Sequence, residues 1–149
     1  KTIGLKLYDI DKLIEKELNL KIIDIFKTKG ELFFRDIEEK ITLDILKTSN
    51  NVIALGGGAF LNEKIRSKIL KNDFSIWLKW ENDTLISRLN KSKNRPITSN
   101  MEKKELIKLI ESRSRVYSLA KFKVCCDNMP KNEIVNKILE IYEKSKNKN

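Results

Sequence analysis

Asn51-Val-Ile-Ala-Leu-Gly-Gly-Gly-Ala-Phe60 is the stretch that decides how this chain folds. Its apolar part, Val52 to Leu55, is short and bounded by turn residues, which is typical of a buried strand in a parallel sheet. Three glycines, Gly56 to Gly58, follow directly and leave backbone N–H groups open to a ligand. Because open α/β sheets bind ligands beyond the carboxyl ends of their strands, we predict a binding site at this turn. The alternative is a flexible strand-to-helix turn that binds nothing.

The composition describes a folded, basic chain. Of its 149 residues, 40% are hydrophobic and 35% are charged, and the sequence contains neither a run of about 18 apolar residues nor an export signal. We therefore expect one cytoplasmic domain, residues 1–149. The formal net charge is +10, but the lysines are spread through every segment. This spread favours attraction of a small anionic ligand over binding of nucleic acid.

Hydrophobic periodicity predicts strands that alternate with helices, the pattern of an α/β fold with a mostly parallel sheet. The predicted strands are Leu5–Ile10, Val52–Leu55, Asp73–Lys79 and Ala120–Cys126. The predicted helices are Lys12–Leu18, Leu20–Phe26, Glu31–Lys47, Leu61–Leu70, Glu81–Asn90, Met101–Leu119 and Lys131–Lys144. Residues 91–100 lack periodicity and are predicted to form an exposed, mobile loop. Cys125 and Cys126 are adjacent, which disfavours a disulfide, so we predict two reduced thiols, one of them packed.

Two acids, Asp9 and Asp11, lie at the carboxyl end of the first predicted strand with one residue between them. At that spacing both side chains point to one side of a strand. One carboxylate there can hold a hydrated divalent cation, and the other can accept or orient the proton of a substrate hydroxyl. The alternative for Asp11 is a helix N-cap.

Three arginines suit anionic ligands. Arg35 offers bidentate donors for a carboxylate, or else it forms a surface pair with Glu38. Arg95, in the predicted loop, can close over phosphates and neutralise charge in a transition state, or it is a solvated loop residue. Arg113 can complete an anion site, or it is an ordinary exposed charge.

In order and spacing, these residues resemble the shikimate kinases. The matching elements are Asp9-Ile-Asp11, Gly30-Glu31-Leu-Phe-Phe34-Arg35, Gly56-Gly-Gly58-Ala, Arg95-Pro96, and Arg113 four residues before Tyr117. The resemblance runs from about Leu5 to about Tyr142. It implies a three-layer α/β sandwich around a mostly parallel five-stranded sheet of order 2-3-1-4-5. It also implies a lid at about residues 91–100 and a shikimate-binding helical region at about residues 11–48.

The activity implied by this resemblance is ATP-dependent phosphorylation of shikimate to 3-phosphoshikimate, in the chorismate pathway to aromatic amino acids. The residues implied to bind shikimate are Asp11, Arg35, Gly57, Gly58 and Arg113. Asp11 would also orient or deprotonate the attacked hydroxyl. The enzyme would be a monomer with no nucleic-acid or membrane partner.

The resemblance implies a nucleotide site as well. Arg88 would pack on the adenine ring, and Arg95 would be the catalytic lid arginine that reaches the ATP phosphates. Asp9 would lie in the outer shell of a Mg²⁺ ion, through water.

One family element is not present in full in this sequence, and Lys1-Thr-Ile-Gly4 could be either its end or part of another strand or helix. Shikimate kinases carry a P-loop, Gly-x-x-x-x-Gly-Lys-Ser/Thr, after their central first strand, whereas only Lys1-Thr-Ile-Gly4 precedes the strand with Asp9. We therefore expect residues 1–5 not to be continuous in space with the rest. Two alternative functions follow, an inactive relative that acts as a binding or scaffold module and a kinase of another small polyol. The second is disfavoured by Arg35 and Arg113, since a neutral polyol needs no carboxylate clamp.

Overall fold

The computed structural model describes residues 4–91 and 101–146. They cluster into two compact units, residues 4–71 and residues 72–91 with 101–146, and each unit is described by itself. Both contain helices and one parallel pair of strands, which confirms the α/β class. Residues 92–100 of the predicted lid lie outside the described residues. Lys1 to Ile3, where a discontinuity was predicted, also lie outside them. The assignment of residues 1–149 to one domain stays a prediction.

The first unit is built on strands β1 (Lys6–Asp9) and β2 (Asn51–Ala54), which pair in parallel. Its helices are α1 (Ile10–Leu18), α2 (Ile22–Ile45) and α3 (Glu63–Asn72), with a 3-10 turn at Ala59–Leu61. The register sets Asp9 opposite Ala54, so both strands end at the same level. The residues that follow them, the start of α1 and the glycine turn, therefore emerge at one edge of the sheet.

Helix α2 is interrupted at Gly30, where φ is +83° and ψ is 171°. Only glycine adopts this backbone conformation readily. The sequence predicted two helices separated at Lys29-Gly30, and this break is confirmed. The part of α2 after the break carries Arg35 and Glu38.

The core of the first unit consists of Ile10, Ile14, Ile25 and Phe34, packed around a Phe26–Phe34 ring contact of 4.7 Å between centroids. Full burial of one such side chain stabilises the fold by about 1.5–3 kcal/mol. After Phe34, the fully buried positions of α2 are the polar residues Glu38 and Thr42. Three other apolar residues of α2 are only partly buried and pack against this core: Ile37, Ile41 and Ile45.

Three expectations about this unit were wrong. Strand β2 is not buried on both faces, since Val52 remains 43% exposed. Asp11 does not follow Asp9 along a strand, because β1 ends at Asp9 and the chain turns into α1 at Ile10. The side-chain period changes from two to 3.6 between the two acids. The helix N-cap is Asp9 rather than Asp11, and its Oδ1 accepts the N–H of Lys12 over 3.2 Å.

The second unit is built on strands β3 (Ile76–Lys79) and β4 (Phe122–Cys125), also parallel. Its helices are α4 (Asn82–Lys91), α5 (Lys103–Tyr117) and α6 (Lys131–Lys146). Ile86, Leu106 and Ile110 form a buried cluster between α4 and α5. Cys126 is buried, Cys125 is exposed, and both thiols are free, as predicted.

Within residues 4–91 and 101–146, the model contains four strands in two separate pairs. The five-stranded count and the order 2-3-1-4-5 therefore stay predictions. No helix in these ranges is both long enough and apolar enough to cross a membrane.

Candidate functional site

The glycine turn after β2 lies directly against polar side chains of α1 and α2. A Cβ atom added at Gly56 would be 2.7 Å from Oδ1 of Asp11 and 3.2 Å from Oε1 of Glu38. A Cβ atom added at Gly58 would overlap Nη1 of Arg35 and lie 2.6 Å from its Cζ. Gly58 has φ −103° and ψ −27°, which any residue adopts. A side chain at position 58 would therefore displace the guanidinium beside it, although the backbone conformation itself suits any residue.

Arg35 is held by two carboxylates of its own helix. Its Nη1 donates to Oε2 of Glu38 over 2.7 Å, while Nε and Nη2 donate to Oε1 of Glu31 over 3.2 and 3.1 Å. The expected pair of Arg35 with Glu38 is therefore present, but it is not at the surface, because the Glu38 side chain is only 3% exposed. A guanidinium has five N–H groups, and three are used by these described residues. The other two, one on each terminal nitrogen, are available to a bidentate ligand.

Burial and neighbouring charges set the ionisation of this cluster. Burial raises the pKa of Glu38, and the charge of Asp11 adds to the rise, although the hydrogen bond from Arg35 opposes it. Burial by itself would lower the pKa of Arg35, but the hydrogen bonds and charges of Glu38 and Glu31 outweigh it, so the pKa is raised. Arg35 is therefore cationic throughout the accessible pH range, and it stands beside a carboxyl that ionises less readily than usual.

Asp9 and Asp11 differ in their surroundings. Asp9 ends β1 and caps α1, whereas Asp11 lies in the first turn of α1 beside Gly56. The described residues contain no cluster of three or more His, Cys, Asp or Glu side chains that would hold a metal ion. Asp9 and Asp11 themselves supply carboxylate oxygens, the ligand type that Mg²⁺ accepts.

Two of the predicted site residues belong to the second unit. Arg113, on α5, is partly buried, and its Nε has no hydrogen-bond partner among the described residues. Arg88, on α4, stacks with its Cζ 3.5 Å from the ring centroid of Trp80. Asp127 anchors the start of α4, since it accepts the N–H of Glu81 and the hydroxyl of Thr84, each over 2.8 Å. Arg95 lies outside the described residues.

The structure therefore brings Asp11, Arg35 and the glycine turn together within one unit, with Gly57 between the two contacting glycines. Sequence reasoning identified these residues but missed the buried position of Glu38. The available signal was its spacing, because Phe34, Glu38 and Thr42 are four apart and share one helix face. An acid on a buried face, three residues after an arginine, indicates a buried pair.

Comparisons with known proteins show which family this chain resembles. The family model described as "Shikimate kinase" matches residues 1–143. A shikimate kinase of Bartonella quintana is 43% identical over 119 residues, which cover 79% of this chain and 57% of that protein. The chain therefore spans little more than half the length of that relative.

Solved structures give the same assignment. The shikimate kinase of Aquifex aeolicus is similar with a TM-score of 0.85 and 30% identity, covering 97% of this chain and 84% of that one. The Acinetobacter baumannii shikimate kinase, solved in complex with shikimate, shares the fold with a TM-score of 0.89 at 24% identity, over 97% and 82% of the two chains. The fold is thus that of a P-loop-type α/β kinase. Within that class, the chain belongs to the shikimate kinase family.

Proposed function

We propose that the protein transfers the γ-phosphoryl group of ATP to a hydroxyl of shikimate, forming 3-phosphoshikimate and ADP in the chorismate pathway. The observation that carries this proposal is the position of Arg35, fixed by two carboxylates with its guanidinium against the main chain at Gly58. Family membership supports the same activity. It does not favour the alternatives of an inactive relative or a kinase of another polyol.

Shikimate is a carboxylate, and the proposed site offers a cation for it. The two remaining N–H groups of Arg35 would bind the carboxylate in a bidentate manner. Arg113 would be its second cationic partner, as the family resemblance implies. Gly57 and Gly58 would contact the substrate through the main chain, which the absence of side chains permits.

Asp11 would orient the attacked hydroxyl and accept its proton. The hydroxyl oxygen forms a bond to the γ-phosphorus, the bond from that phosphorus to the β–γ bridging oxygen breaks, and ADP leaves. This chemistry depends mainly on positioning and charge neutralisation, so Asp11 needs no unusual pKa. Its Oδ1 lies close to Gly56, beside the proposed substrate position.

Nucleotide contacts complete the proposal. Arg95 would approach the ATP phosphates as the lid arginine, and Arg88 would pack on the adenine ring, its planar group already held by Trp80. Mg²⁺, bound through the nucleotide phosphates, would neutralise their charge, and Asp9 would hold it through water. The proposal also includes a cytoplasmic monomer whose partners are only these small molecules.

The test is shikimate-dependent release of ADP by the full-length gene product. Asp11→Asn keeps the shape of the side chain but removes its charge, so we expect kcat to fall roughly 10²–10⁴-fold, the scale of general-base contributions, with little change in the KM for ATP. The carboxamide of shikimate, which lacks the carboxylate, serves as a control substrate and should be used poorly. Wild-type protein that uses shikimate and the carboxamide equally well would contradict the proposal.

A further inference from the structure

Asn62 links the segment after the glycine turn to α2 through a short hydrogen bond. Its Nδ2 donates to Oε2 of Glu39 over 2.6 Å. Its Oδ1 accepts the N–H groups of Lys64 and Ile65 over 2.9 and 3.2 Å, and so caps α3. Because the amide donates on one side and accepts on the other, only one orientation of the side chain satisfies both contacts.

Glu39 is an ionised acceptor in this contact. Its Oε1 accepts from Nζ of Lys64 over 2.8 Å, and this hydrogen bond, followed by the one from Asn62, lowers the pKa of Glu39. The Lys64 side chain is 74% exposed, and exposed ion pairs stabilise a protein little. The partly buried hydrogen bond between Glu39 and Asn62 is therefore the stronger restraint.

The connection from Asn62 back to Gly58 is stiff. The 3-10 turn between them is closed by hydrogen bonds from Leu61 N to Gly58 O (3.0 Å) and from Asn62 N to Ala59 O (3.1 Å). Ala59 and Phe60 are buried. Nη1 of Arg66 donates to the carbonyl oxygens of Phe60 and Leu61. A displacement of Asn62 is therefore passed on to Gly58 rather than absorbed by a flexible loop.

Glu39 lies four residues after Arg35 on α2, so the two share a helix face. Helix α2 thus holds the Arg35 guanidinium on one side of a short gap. Asn62 fixes the glycine turn, with Gly58, on the other side. The gap has no room for one methyl group. We propose that Glu39 and Asn62 are a positioning pair that sets the separation of the Arg35 guanidinium from the Gly58 main chain, and thereby the affinity of the site for a substrate carboxylate. This inference rests on the proposed function, because its readout is the affinity for shikimate.

Asn62→Asp tests the pair without removing the helix cap, since aspartate is as good an N-cap as asparagine. The new carboxylate cannot donate to Glu39 and repels it. Loss of a hydrogen bond to a charged group is expected to raise the KM for shikimate about tenfold or more. Because the change acts on binding and not on the reacting atoms, kcat and the KM for ATP should stay within about twofold.

Adding Glu39→Gln to Asn62→Asp reverses the donor and the acceptor, because the introduced amide can donate to the introduced carboxylate. The double variant should return the KM for shikimate to within about threefold of wild type, as expected for directly coupled residues. Lys64→Met is the matched control, since it removes the exposed ion pair but not the hydrogen bond, and its KM should be unchanged. All variants are made in the full-length protein and checked for folding by thermal melts.

An unchanged KM for shikimate in folded Asn62→Asp would overturn the inference. So would a parallel rise of both KM values that the double variant fails to reverse, because that pattern indicates general destabilisation. Wild-type protein that neither binds nor phosphorylates shikimate would overturn the proposed function and this inference with it. Wild-type activity with an unresponsive Asn62→Asp would overturn the inference alone.

Discussion

Gly58→Ala separates the contact with Arg35 from every other property of the glycine turn. The backbone at position 58 suits alanine, so the substitution introduces no conformational strain. The added Cβ atom would overlap Nη1 of Arg35 and lie 2.6 and 2.7 Å from Cζ and Nη2. The guanidinium is the flexible end of its side chain, whereas the glycine turn is followed by buried Ala59 and Phe60. Arg35 therefore moves and the turn stays.

The size of the effect follows from these distances. Atoms in ordinary contact are about 3.5 Å apart, so the guanidinium must retreat by roughly 1–1.5 Å. A displacement of this size at a reacting site costs about 10²-fold in rate, and we expect that loss in kcat/KM for shikimate. The loss of stability should be smaller, about 1–3 kcal/mol, as for other overpacked sites. It stays below the roughly 3–5 kcal/mol for a buried ion pair that loses one partner, because Arg35 keeps part of its contact with Glu38.

Isothermal titration with shikimate and with ATP separately, together with steady-state kinetics, measures the effect. Gly4→Ala is the contrasting control, since φ there is +69° but nothing lies within 4 Å of a Cβ atom, so it adds backbone strain without touching Arg35 and should leave the affinity for shikimate unchanged. A second comparison uses an Arg35→Lys background. In that background the planar guanidinium is absent, so Gly58→Ala should cause little further loss of affinity for shikimate.

Three results would refute this reasoning. One is near-normal affinity for shikimate in folded Gly58→Ala, which would mean that the guanidinium does not act at the turn. Another is an equal loss of affinity for both ligands, which would indicate damage to the fold. The third is a full effect of Gly58→Ala in the Arg35→Lys background, which would assign the effect to the turn itself.

Two further predictions concern the same cluster. Arg35→Ala should weaken shikimate binding by about 2–5 kcal/mol, the cost of leaving a charge without its partner, and should leave ATP affinity nearly intact; calorimetry that finds equal losses for both ligands would instead indicate a folding role. Because folding raises the pKa of Glu38, the folded state binds the Glu38 proton more tightly than the unfolded state does. The stability that this proton contributes is complete below the unfolded pKa of about 4.5. It is lost as the pH rises through the pKa of the folded state. Denaturant titrations from pH 4 to 7 should therefore show the unfolding free energy of Glu38→Gln rising relative to wild type with increasing pH, and a constant difference would contradict the shift.

Local sequence signals predicted the elements of the fold but not every boundary. The break at Gly30 and the strand before the glycines were found because glycine and short apolar runs act locally. The burial of β2 was overestimated, because exposure depends on what covers a face and the run of Val52 to Leu55 carries no such information. The end of β1 was misplaced by one residue and the start of α1 by two, which moved the expected helix cap from Asp9 to Asp11.

The site residues that sequence reasoning missed are those defined by contacts between distant segments. Arg35 and the glycine turn were predicted individually from their chemistry, but no local pattern gives the distance between a guanidinium on α2 and a backbone atom some twenty residues later. Glu38 and Glu39 look alike in the sequence, yet one is buried against Arg35 and the other binds Asn62. One face of α2, with Arg35, Glu38 and Glu39 three and four residues apart, therefore both supplies the cation and holds the glycine turn against it. A change that rotates this face would alter both functions together, and for that reason the variants that separate them act on Gly58 and Asn62 rather than on the helix.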